Sequence, residues 1–274
     1  MTRIMAALTG RSLARGVTGL VGLLVLIFLF EVVQAPVVDA MGGAQGLDAI
    51  MDRVPRALQA FARTRPELMA MSGLAGYLSL GFTHPLFLLL STSAVVGYAA
   101  RALAGEMERG TVQIALSRPV SRATFFSSRI VGMVVVMIAA TIAGPLGMAA
   151  GFAVAQPVGD LPASRFLIVG VGILALLWAA GGLALAGAAA ANSAGRVLGI
   201  GLAVFIVMYF VDYFASVWAV LKPFQPLSLF NYFDPGTALV LGVVDLRDVA
   251  ILGVVGAIGI AVGLWRFTTR DLPA

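Results

Sequence analysis

Residues 105–122 read Gly-Glu-Met-Glu-Arg-Gly-Thr-Val-Gln-Ile-Ala-Leu-Ser-Arg-Pro-Val-Ser-Arg. This charge-dense passage separates two apolar runs, about 82–104 before it and 130–154 after it. Each run is long enough to cross a bilayer, so the passage is a polar foot between two membrane helices. Val112, Ala115 and Leu116 recur at helical spacing, and Ile114 widens that face. Thr111 is expected to cap this short helix behind Gly110, its hydroxyl taking an orphan N–H. The helix should stop at Ser117-Arg118-Pro119, because the residue before a proline avoids helical backbone. Ser121 or Thr124 can cap the helix that follows.

Composition agrees with a membrane protein. Of 274 residues, 60% are hydrophobic and only 11% are charged, where a soluble domain carries about 25%. Mean hydropathy is +1.01. The length suits one membrane unit, with no room for an added ATPase domain. No glycine-rich loop ending in Lys-Ser/Thr is present, so ATP binding is expected in a partner. There are no cysteines and one histidine, His84, which excludes thiolate and His-rich metal sites. The net charge of +5 does not argue for nucleic acid, since the membrane accounts for its distribution.

Working outward, residues 1–16 carry Arg3, Arg11 and Arg15 among Met5, Leu8 and Leu13, which predicts an interfacial helix. Spans are expected at about 17–35, 82–104, 130–154, 166–190, 197–221 and 249–267. Residues 36–79 form the longest external loop, with an amphipathic stretch at 48–61. Pro85 suits a first helical position, with His84 as the residue before it. Gly144-Pro145 should kink the third span. Glycines and alanines along the fourth favour close helix packing. Pro223, Pro226 and Pro235 break residues 222–248 into re-entrant or surface half-helices. The class is therefore an all-α polytopic protein with six transmembrane helices and both termini inside. Eleven arginines fall on the proposed cytoplasmic side and seven basic residues outside, the expected bias.

Glu106-x-Glu108-Arg109-Gly110-Thr111 followed by Leu116-Ser117-x-Pro119-x-Ser121-Arg122 resembles the cytoplasmic signature of the ABC-2 family of transporter permeases. The resemblance implies that residues 105–127 form a coupling helix seated on a soluble ATPase. It also implies two ATPase subunits, which bind ATP and Mg2+, and a second copy or homologue of this chain. This chain would not be an enzyme by itself. In that family the first, second and fifth spans line the route, which here points to Glu31, Phe205, Tyr209, Asp212, Tyr213 and Trp218. An aromatic, sparsely charged route suits export of a hydrophobic or amphiphilic compound. The expected location is a prokaryotic inner membrane, with lipid as the surrounding partner. One alternative is a membrane subunit that couples the ATPase to an outer partner at residues 36–79, as in metalloenzyme maturation. An intramembrane enzyme would need a histidine cluster, an acid pair or a Ser-Lys pair inside the bilayer. Glu106 and Glu108 lie at the interface with no histidine beside them.

Overall fold

The computed structural model describes residues 2–43, 45, 46, 49, 73–156 and 161–271. Helix α1 (Thr2–Ala14) is followed at Gly16 by α2 (Val17–Val32) and α3 (Gln34–Ala40). Helix α4 (Leu74–Thr83) is short and mostly buried, and leads through His84 into α5 (Pro85–Ala99). A wider π-helical stretch, Ala100–Ala104, carries α5 into α6 (Gly105–Glu108). Then come α7 (Thr111–Leu116), α8 (Arg122–Ala155), α9 (Ala163–Ala190) and α10 (Ala194–Ala215). Two 3-10 segments, Ala219–Leu227 and Leu229–Tyr232, precede α11 (Pro235–Leu241) and α12 (Leu246–Thr269). Among the described residues, six helical runs are long and apolar enough to cross a bilayer: Val17–Ala40, Pro85–Glu108, Arg122–Ala155, Ala163–Ala190, Ala194–Ala215 and Leu246–Thr269. The chain is a multi-pass membrane protein.

The second span is the hub. Helix α5 packs against α2, α8, α9 and α10. Its apolar window is 72% buried, against 22% for the first and last spans. Glycines set the closest approaches. A Cβ at Gly147 would lie 2.3 Å from the Phe28 carbonyl oxygen, and one at Gly151 would lie 2.1 Å from that of Val32. Two glycines four residues apart thus bring α8 against the backbone of α2. Pro36 has no N–H to offer the Val32 carbonyl, and Gly151 fills the space beside that oxygen. Gly182, Gly256 and Gly259 do the same between α9 and α12. There the Trp178 indole N–H donates to the Gly253 carbonyl at 3.0 Å.

Several local expectations change. Thr111 is the first residue of α7, not its cap; Gly110 takes that place with a left-handed φ of 67°. The Thr111 hydroxyl turns back and donates to the Glu106 carbonyl at 3.1 Å. At Gly144-Pro145, inside α8, the missing Cβ leaves room for the Phe82–Phe87 ring pair. Of the two caps the sequence offers, Ser121 is the one used: its hydroxyl accepts from the Thr124 N–H at 3.1 Å, and the helix starts at Arg122. The half-helices of 222–248 take the form of the exposed 3-10 segment, a second short one and α11. Pro223 and Pro226 withhold the donors that an α-helix would need. The amphipathic stretch at 48–61 lies outside the described residues, apart from Ile50's neighbour at position 49.

Candidate functional site: the platform beneath the second and third spans

Helix α1 and the end of α12 meet the platform at one end of the bundle. Glu106 stands on α6, just beyond the π-helical stretch, and is 4% exposed. Its two carboxylate oxygens take separate arginines. Arg15, just after α1, donates to Oε1 at 3.0 Å. Arg129, on α8, donates to Oε2 at 3.1 Å. Arg129 also donates to the Leu8 carbonyl at 2.9 Å and lies 4.2 Å from the centroid of the Phe125 ring. Two more bonds fasten α1: Thr9 donates to the Ser128 carbonyl at 3.1 Å, and Ser12 pairs with the Tyr98 hydroxyl at 2.9 Å. Charges as buried as those of Glu106 and Arg129 need such pairing.

The other side of the platform is tied to the far half of the bundle. Glu108 accepts from the Ala194 N–H at 3.0 Å, at the start of α10. Arg122 donates to the Arg270 carbonyl at 2.7 Å and to that of Thr268 at 3.3 Å. Arg270 in turn donates to the Ala189 carbonyl at 2.6 Å and to Asn192. Burial lowers the Arg270 guanidinium below its ordinary range, and the neighbouring charge of Arg266 adds to this. Between these ties α7 lies with Val112 fully buried and Ile114 68% exposed. Leu116 is half-buried, while Arg109, Ser117 and Pro119 are exposed. A cleft of about 320 Å³ separates α1 from α7, lined by Ile4, Leu8, Arg11, Ile114, Arg118 and Val120.

The family profile described as "ABC-2 family transporter protein" matches residues 17–272. The chain belongs to the ABC-2 transporter family. No curated protein is detectably similar to it in sequence. The permease is therefore the membrane component of an ABC transporter, a class in which ATP is hydrolysed by separate subunits.

Within the permease, the residues expected along the route fall in two places. Phe205, Tyr209 and Tyr213 are buried on α10, with Phe205 and Tyr209 packed on Phe230 at centroid distances of 6.5 and 6.1 Å. Asp212 beside them is 5% exposed and accepts from the Gln225 side chain at 3.1 Å. Trp218 is 54% exposed and stacked on Phe214. Glu31 is elsewhere, enclosed by α2, α4 and α8. Helix α5 packs against both α2 and α10, so it stands between the two groups. Sequence reasoning missed Arg15, Arg129 and Tyr98. Arg129 carried one signal, being a charge at the edge of an apolar run; its pairing with Glu106, 23 positions earlier, carried none.

Proposed function

We propose that the permease exports a hydrophobic or amphiphilic compound, and that a separate ATPase drives it through the platform at residues 105–122. The observation that carries this reading is the bracing of the platform. Glu106 joins it to α1 and α8, Glu108 joins it to α10, and Arg122 joins the start of α8 to the end of α12. A push on α7 would thus reach most of the bundle, because packed helices move as rigid bodies. The exposed face that such a partner would meet holds Ile114, Arg109, Arg118 and Pro119. Apolar contact there supplies the strength, and the exposed charges supply orientation.

The gathering of arginines at the platform end supports a cytoplasmic position for that end and for both termini. Six helices enclose too little space for a bulky substrate, which argues for two copies or a close homologue. The fifth span presents Ile200, Val204 and Val207 outward, an apolar surface suited to a greasy substrate or a second copy. The test is reconstitution with the ABC ATPase that co-purifies with this chain. Ile114→Ala with Leu116→Ala should abolish substrate-stimulated ATP hydrolysis while the complex still folds in the membrane. Unchanged stimulation would refute the platform as the point of drive.

A further inference from the structure

Glu31 is the only ionisable residue of α2 and is fully buried. Neither of its carboxyl oxygens has a hydrogen-bond partner. Its enclosure is tight. A Cβ at Gly81 of α4 would fall 2.7 Å from Oε2 and 2.9 Å from Cγ of Gln34, and one at Gly147 of α8 would fall 3.1 Å from the Glu31 Cβ. The nearby Gln34 amide N–H is turned away, donating to the Phe30 carbonyl at 3.2 Å.

Among the described residues, the ionisable groups on the packed elements are few. Helix α3 carries Asp39, α4 carries Tyr77, and the α4–α5 junction carries His84. Arg101 stands at the far end of the second span. Helix α8 has no charged residue from Ile130 to Ala155. His84 sits beside Phe30, with ring centroids 5.1 Å apart, and uses its Nδ1 to accept from the Leu86 N–H. In that role it is neutral and supplies no countercharge.

A bare carboxylate cannot be kept in such a place without a partner. A ligand of ordinary size has no room beside Gly81. The one ligand that needs no cavity is a proton. We infer that Glu31 is a proton-binding site that governs separation of α2 from α4 and α8. When the helices are closed the carboxyl keeps its proton. When they part, the O–H bond breaks, water takes the proton, and the carboxylate is left hydrated. The closed form then holds one proton more than the open form. Acid favours closure, and the closed-to-open ratio falls about tenfold per pH unit wherever the open carboxyl is ionised. This deepens the transport reading, since these helices include the first span, but the proton site itself does not depend on a substrate or an ATPase.

Two measurements on the purified full chain in lipid nanodiscs test it. The infrared C=O stretch of a protonated carboxylic acid should be present at neutral pH and be removed by Glu31→Gln. A spectrum that the substitution leaves unchanged overturns the proposal. Because the chain has no cysteine, Ala35→Cys places a lone thiol at a fully buried position one turn beyond Glu31. Its labelling by a water-soluble maleimide reports opening. The labelling rate divided by that in the Glu31→Gln background cancels the thiol's own titration. That ratio should rise up to about tenfold per unit from about pH 6 to pH 8, where a hydrated glutamate is ionised. A flat ratio overturns the linkage. Unchanged substrate-stimulated ATP hydrolysis in Ile114→Ala with Leu116→Ala would instead count against the transport reading and leave both results standing.

Discussion

Removing the Glu106 carboxylate should release α1 from the bundle. In Glu106→Ala, Arg129 stays buried with its charge uncompensated, its side chain only 2% exposed. At 3.1 Å the lost attraction is about 5 kcal/mol for an effective dielectric of 20. Part of it is offset by the desolvation that both ions already bear, so breaking such a pair costs about 3–5 kcal/mol. Arg15 adds little, because its side chain is 47% exposed and an exposed pair contributes about 0–1 kcal/mol. Lifting α1 away would let water reach Arg129 and relieve most of that cost. At 1.4 kcal/mol per decade, a 3 kcal/mol relief raises the undocked fraction about a hundredfold. Trypsin reads this directly, since α1 carries Arg3 and Arg11 and Arg15 follows it. Cleavage after Arg11 in nanodiscs should accelerate about a hundredfold or more in Glu106→Ala. It should change less than about fivefold in Arg15→Ala. Pairing Glu106→Leu with Arg129→Leu should restore resistance towards wild type, because an apolar replacement leaves no stranded charge. Equal rates for wild type and Glu106→Ala would refute the electrostatic account of the joint. So would an Arg15→Ala effect as large as that of Glu106→Ala.

Further outcomes follow from other contacts. Gly151→Val should destabilise the bundle by about 1–3 kcal/mol in a mixed-micelle unfolding titration, since its Cβ would lie 2.1 Å from the Val32 carbonyl oxygen. Gly22→Ala, with nothing within 4 Å, should be neutral in the same titration. His84 caps α5 through an unprotonated Nδ1, and burial holds its pKa below the ordinary 6.5. The unfolded chain therefore binds the proton more readily, so the His84 contribution is full above about pH 6.5 and is lost as pH falls below it. In His84→Asn, which keeps a capping acceptor, that loss should disappear from thermal melts taken at stepped pH. Ile114→Asp should leave melting unchanged while weakening ATPase binding at least tenfold in a pull-down titration. Val112→Asp should lower the melting temperature of the permease alone, because Val112 is fully buried.

The class, the six spans and the polar foot were legible in the chain because they depend on local composition. A run of about twenty apolar residues must satisfy its backbone internally, whatever it packs against. The caps were legible only in part. Ser121 caps as its position suggests, whereas Thr111 turns to the Glu106 carbonyl because Gly110 adopts the left-handed turn first. What the foot attaches to was not legible. Glu106 meets Arg15 across 91 positions and Arg129 across 23, and Glu108 meets the start of α10 across 86. No spacing rule spans such separations. Glu31 shows the same division. In the sequence it is one acid near the end of an apolar run, with no neighbour that marks it as enclosed. Its burial comes from two glycines, at 81 and 147, that bring other helices against it. Hydrophobicity along the chain thus determined what enters the membrane and where the chain leaves it. The tertiary structure alone decided which charges are shut away from water, because that depends on how closely separate helices approach.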